Sequence, residues 1–253
     1  MCELLGFTSA KKTDIRDWLR RFYAHSVQNP HGWGLMYEAD GQREIVKEAI
    51  SAAESLFLDD LIESMPPQKT TLAHIRFATV GSIHERNCHP FTASDDSGRE
   101  WTLIHNGTIF NGKHNHRYAA DQTGDTDSER FFLYLIDTVN EQLAKSVPTE
   151  RARFECINHF IAENAPRNKL NLMIWDGDLL YVHKNLINTL CFKRLDDGII
   201  FATKPLDDGV WVPFPMAQVI AYKHGQEVYR GDRHKGAFVP TLEYITAMDA
   251  MHI

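Results

Sequence analysis

The sequence predicts an α+β fold in which sheets and helices stack in layers. Short apolar runs of strand length recur along most of the 253 residues. Amphipathic helical patterns fall in only two groups, one within residues 14–64 and one within 131–164. Strands and helices therefore do not alternate, which disfavours a doubly wound parallel sheet. The chain is long enough to bury a core without disulfide or metal staples. Its composition, 43% hydrophobic and 24% charged, is that of a globular protein and excludes disorder, collagen or coiled coil as the main architecture.

Each element follows from local pattern. Residues 2–7 are apolar and read as a strand. Ile15, Trp18, Leu19 and Phe22 recur at helical spacing within 14–26, where Thr13 or Asp14 can cap. Residues 33–38 and 45–49 read as paired strands across an Asp40-Gly41 turn. Residues 51–64 suggest a helix stopped by Pro66-Pro67. Residues 70–79 and 101–105 read as buried strands. Phe131, Phe132, Leu135, Ile136 and Val139 form one apolar helix face, and a second helix covers about 150–164. Strands follow at 170–175, 179–183, 189–193, 199–203 and 218–222, punctuated by Asp-Gly turns at 176, 197 and 208. No Gly/Ser/Pro linker, repeat or low-complexity tract divides the chain, so residues 1–253 are expected to form one domain.

Charge narrows the function. Lys plus Arg number 27 against 34 Asp plus Glu, a net charge of -7, which disfavours sequence-independent nucleic-acid binding. No apolar run approaches the ~18 residues that span a membrane, and MCELLGF lacks the features of a secretory signal. Cysteines 2, 88, 156 and 191 form no CxxC pair, against a disulfide scaffold or a zinc ribbon. A reducing cytoplasm is the expected location. Of the 13 histidines, His114 and His116 lie close in sequence, but no cysteine or carboxylate spacing around them suggests a metal.

Several short stretches can carry chemistry. Removal of Met1, expected before a residue as small as cysteine, leaves Cys2 with a thiol and an α-amine. Such amines titrate near ~7.7 and can act as base for the thiol; the plainer reading is a small buried residue opening a strand. In His74-Ile75-Arg76-Phe77-Ala78-Thr79-Val80-Gly81, an arginine inside a buried strand needs a partner. That partner is either one of the chain's own acids or a ligand carboxylate suited to its fork. His105-Asn106-Gly107 is a strong hairpin-turn signal, and equally an amide and an N–H able to hold an oxyanion. Thr126 with Glu129 fits a capping box, placing Asp127 at the first helical position, where its carboxylate is favoured and can grip an ammonium. His31-Gly32-Trp33-Gly34 reads as a tight turn or a close backbone approach to a ligand.

A cysteine directly after Met1, then HIRFATVG, HNG and DTDSE in that order, resembles the class II glutamine amidotransferases, which are N-terminal-nucleophile hydrolases. The resemblance covers at least residues 2–135. Later segments, 171–177 and 201–206, look like the completing strands of a short stand-alone branch that includes γ-glutamyl hydrolases of the ergothioneine pathway. The resemblance implies a four-layer αββα sandwich of two stacked sheets. It implies Cys2 as nucleophile with its own amine as base, Asn106 and Gly107 as oxyanion hole, Arg76 on a substrate α-carboxylate and Asp127 on its α-ammonium. Thr79 and His89 match positions near the pocket. Val80 stands where members with a fused synthase domain often have histidine. The implied reaction is attack on a γ-amide and hydrolysis of a γ-glutamyl thioester, without metal or organic cofactor. The expected substrate is glutamine or a γ-glutamyl compound. No acceptor domain is expected within the chain, so a separate ammonia-accepting partner is one expectation and plain hydrolysis another; a homodimer is the family leaning. The loop 111–122, with His114, His116, Arg117 and Tyr118, is expected to line the leaving-group side. A non-catalytic amino-acid-binding protein is the alternative of another class.

Overall fold

Alternating burial along the strands decides how the layers assemble. The computed structural model describes residues 1–111, 115–143, 148–242 and 244–246. In chain order the first strands are β1 (Glu3–Thr13), β2 (Trp33–Ala39), β3 (Gln42–Glu48), β4 (Gln68–Ile75), β5 (Phe91–Ser94) and β6 (Glu100–Thr108). They are followed by β7 (Lys169–Trp175), β8 (Leu180–His183), β9 (Cys191–Arg194), β10 (Gly198–Ala202), β11 (Val212–Pro213), β12 (Ile220–Lys223) and β13 (Gln226–Arg230). The helices are α1 (Arg16–Tyr23), α2 (Leu58–Ser64), α3 (Asp127–Leu143) and α4 (Glu150–Asn164). One sheet has the order β11-β9-β10-β1-β4-β2-β3 and the other β13-β12-β8-β7-β6-β5. The strand pairings within both are antiparallel.

Three apolar clusters bind four layers. Leu5, Phe7, Ala73 and Ile75 of the first sheet pack with Leu19 and Phe22 of α1 and Leu58 and Ile62 of α2. Leu103, Leu172 and Ile174 of the second sheet pack with Phe131 and Leu135 of α3 and Ile157 and Phe160 of α4. Between the sheets lie Leu4, Met36, Leu72, Ile104, Met173 and Val182. Successive strand residues face opposite sides, so both sheets are buried on both faces. The arrangement is the αββα sandwich. Among the described residues no helix is long and apolar enough to cross a membrane.

Most expected elements appear, with four differences. The helix expected over 51–64 is divided. Ser51 accepts from the Ala53 N–H and Ser55 from the Leu58 N–H, side-chain bonds that compete with a continuous helix. The strand expected over 70–79 ends at Ile75, because the next free N–H groups turn to side chains: Phe77 N–H to Cys2 Sγ and Ala78 N–H to His31 Nδ1. Asn106-Gly107 is no turn; it lies within β6, opposite Asn171 and Leu170 of β7. The short strands β5, β11 and β13 have too little alternation to announce themselves.

Candidate active site

Cys2 shares the inward parity of Leu4 and precedes β1, so it faces the second sheet. Glu3, buried, accepts from His25 Nδ1 (2.8 Å) and Lys204 Nζ (2.6 Å), and Leu4 N–H donates to Thr203 Oγ1 at 2.8 Å. The start of β1 is thereby fixed on both sides. Cys2 Sγ lies 3.2 Å from the donating Phe77 N and 3.3 Å from the accepting Phe77 carbonyl. His31 secures this segment through its bond from Ala78 N–H at 2.9 Å and ring contact with Phe77. The Met1 ammonium donates to buried Asn29 Oδ1 at 3.2 Å. Burial holds its pKa below that of an ordinary α-amine, against the opposing charge of Cys2.

From the facing sheet comes Asn106, which shares the inward parity of Ile104. Lys169 Nζ donates to Asn106 Oδ1 at 3.1 Å and to Met1 Sδ at 3.3 Å. One buried lysine thus spans the end of β6 and the chain start beside Cys2. Asn106 Nδ2 is buried without a partner among the described residues. Gly107 is required by packing: a Cβ there would sit 1.8 Å from the Lys169 carbonyl and 2.1 Å from His105 Nε2. His105 lies on the opposite face, with Nδ1 2.9 Å from Ser128 Oγ and Nε2 2.9 Å from the Lys169 carbonyl.

Arg76 is the first residue beyond β4 and is buried. Its guanidinium donates to the carbonyls of Ser82 (3.0 Å), Val80 (3.2 Å) and Gly81 (3.4 Å). It forms no ion pair among the described residues, which removes the expectation of an internal acid partner. Asp127 opens α3, also buried, and its Oδ2 accepts from Ile109 N–H at 2.6 Å while Oδ1 accepts from Ser128 N–H at 3.0 Å. It too has no ionic partner among the described residues. The Arg76 loop is tied to the Asp127 turn. Asp125 accepts from Ser82 N–H at 3.1 Å and from Asn87 Nδ2. At Gly81, φ is +79° and a Cβ would meet Asp125 Oδ1 at 2.7 Å. Two buried opposite charges, each lacking an ion-pair partner among the described residues, are costly to a fold by themselves. Thr126 caps α3 as expected, accepting from Glu129 N–H at 3.2 Å. The Glu129 carboxylate goes instead to Thr123 and Gly124 N–H at 2.7 and 2.8 Å.

The description "Glutamine amidotransferases class-II" matches residues 1–195 of the chain. The chain belongs to that family. This amidotransferase is 30% identical to the "Putative glutamine amidotransferase YafJ" of Escherichia coli over 182 residues, 70% of each chain. It is 24% identical over 212 residues to a γ-glutamyl-hercynylcysteine sulfoxide hydrolase of Mycolicibacterium smegmatis, covering 81% of this chain and 83% of that one. Its fold superposes on the glutamine phosphoribosylpyrophosphate amidotransferase of B. subtilis with a TM-score of 0.68 at 12% identity, covering 93% of this chain and 50% of that one. Its activity is that of the family, glutamine or γ-glutamyl amidotransfer.

The remaining expected residues are placed less uniformly in this amidotransferase. Thr79 is exposed on the loop after Arg76. His89 is buried, its ring 4.4 Å from that of His74, and all four ring nitrogens of the pair lack partners among the described residues. Burial drives the His74 pKa down to about 3 and holds His89 well below the ordinary value, so both rings are neutral. Cys88, Cys156 and Cys191 are buried, and burial pushes their thiols up to about 11. His114 lies outside the described residues. Tyr118 packs inward with its hydroxyl 2.7 Å from Asp137 Oδ2, while His116 and Arg117 are exposed. An aromatic group unforeseen from sequence stands beside Ile109: Phe110 stacks on Phe238 at 5.8 Å, and Tyr244 meets both edge-on. Burial and then the charge of Cys2 raise the Tyr244 pKa. Among the described residues no three His, Cys, Asp or Glu side chains group as a metal would need.

Proposed function

We propose that the chain, as one catalytic domain with Met1 removed, hydrolyses the γ-amide of glutamine through Cys2. The observation that carries this is the pair of buried, counter-charge-free groups Arg76 and Asp127, tied together through the loop at 80–82 and Asp125. Arg76 takes the α-carboxylate and Asp127 the α-ammonium, which holds the side-chain amide for attack. The Cys2 sulfur adds to the γ-carbonyl after giving its proton to the freed α-amine. The carbonyl electron pair moves onto oxygen, where Asn106 Nδ2 and the Gly107 N–H receive it. Collapse expels ammonia, which takes the proton from the amine. Water, deprotonated by the same amine, then cleaves the thioester to glutamate and restores the thiol. Thr79 and His89 shape the pocket around these groups. The ammonia leaves to solvent or to a separate accepting protein, and we place the reaction in the cytoplasm.

A second reading, a γ-glutamyl conjugate hydrolase, is favoured by the aromatic group of Phe110, Phe238 and Tyr244 and by likeness to the mycobacterial hydrolase. Both readings use the same residues for the glutamyl head. Intact mass after exposure to a glutamine-mimicking diazo ketone tests the shared part: one adduct on Cys2 is expected in the Met1-free form and none with Met1 retained. Equal turnover by the two forms refutes the N-terminal base. Comparing hydrolysis of glutamine with γ-glutamyl peptides of rising size separates the readings.

A further inference from the structure

Lys169 is out of place as a structural residue. It stands in β7, buried between the sheets, and has no carboxylate partner among the described residues. Burying an ammonium without an anion costs stability that an apolar side chain of equal length does not. The groups facing it are the Met1 amine and Cys2, just ahead of β1, and Asn106 from β6, with His105 bound to its carbonyl.

An ammonium has donors only, so the Asn106 atom it meets must be the amide oxygen. Fixing that oxygen also fixes where Nδ2 points. Nδ2 is the atom left buried and unpartnered, an arrangement costly at rest and useful only if an acceptor arrives. Resting on the proposed role of Asn106, we propose that Lys169 is a positioning residue for transition-state stabilisation, holding the Asn106 amide with Nδ2 toward the substrate carbonyl. Its positive charge also polarises that amide, strengthening the bond from Nδ2 as negative charge develops on the substrate oxygen. Met1 Sδ occupies one donor direction of the ammonium, and removal of Met1 releases it beside the new N-terminus.

The test compares Met1-free wild type, Lys169→Met, Lys169→Arg, Asn106→Ala and the Lys169→Met/Asn106→Ala double variant. Glutamine hydrolysis gives kcat and KM, and iodoacetamide alkylation of Cys2 reports the thiol without any oxyanion. Loss of one such donor typically lowers kcat by about 10²–10³-fold. Asn106→Ala is expected to show that loss and Lys169→Met at least about 30-fold, with KM changed less than about threefold. The double variant should fall within about threefold of Asn106→Ala, Lys169→Arg should exceed Lys169→Met in kcat, and alkylation should stay within about threefold of wild type. A Lys169→Met chain with wild-type kcat, or losses that multiply in the double variant, overturns the proposal. So does a Lys169→Met chain melting well below wild type, since the lysine then serves the fold. If Asn106→Ala itself keeps wild-type kcat, the oxyanion reading fails first and this one with it.

Discussion

The buried ammonium of Lys169 ties stability to pH in a way one substitution can isolate. Burial lowers its pKa from 10.5 to about 8. Between those values the unfolded chain holds the proton more firmly than the folded one, so stability rises as pH increases through that window. Below pH 8 the folded chain carries nearly the full cost of the charge, about 3 kcal/mol for a shift of this size. Between pH 7 and pH 10 the change amounts to about 2–3 kcal/mol. Lys169→Met has no proton to release there, and the Met1 amine, whose pKa the Lys169 charge also lowers, moves the comparison in the same direction. Urea unfolding at pH 7 and pH 10, with Met1 in place, should therefore show the variant's stability relative to wild type declining by about that amount. Parallel pH dependences for the two proteins would mean that Lys169 is solvated or neutralised in the fold, and the linkage argument would be refuted.

Other perturbations test neighbouring parts. Arg76→Lys replaces a fork that meets three carbonyls with one ammonium. A loss of about 2–5 kcal/mol should raise KM for glutamine by roughly 30-fold or more, and an unchanged KM would assign Arg76 to holding the loop at 80–82. Gly107→Ala drives a Cβ to 1.8 Å from the Lys169 carbonyl; forcing β6 from β7 should cost at least about 1–3 kcal/mol, seen as a lowered Tm with activity lost. His74, held by burial at about 3, ionises more easily unfolded, near ~6.5. Its contribution is lost as pH falls from 6.5 toward 3, so Tm should drop on acidification, and less steeply in His74→Phe.

What the sequence disclosed was whatever repeats locally. Amphipathic spacing marked α3 and α4, and the Asp40-Gly41 turn joins β2 to β3 as expected. The grouping of helices indicated α+β layers, and the αββα order came from the family resemblance. Arg76 was visible because a charge in an apolar strand is rare, and Asp127 because the Thr126 cap puts it at the first position of a helix. Lys169 and Asn29 were not, because a lysine beginning a strand and an Asn-Pro step are ordinary surface signals; only pairing of β6 with β7, residues 102–108 against 169–175, buries the lysine. The Asn-Gly pair misled for a similar reason. Its local preference is a turn, and the close approach of β7 overrides it. The aromatic trio joins residues 110, 238 and 244, a distance no local pattern spans.

The position of β1 sets the timing of biosynthesis. Strand β1 lies between β4 and β10, paired to residues as distant as Ala202. At about 5–20 residues per second, the ribosome delivers β10 roughly 10–40 s after β1 emerges. Until then one rim of β1 has no neighbour, and non-local pairing of this kind makes assembly slow. The delay exposes an unpaired edge to other nascent chains, a hazard that holdase chaperones would relieve. The proposed removal of Met1 falls in the same interval, when the amine is most accessible before the sheets close over it. Slowing translation between β4 and β10 should therefore raise the cleaved fraction and the burden of aggregation together.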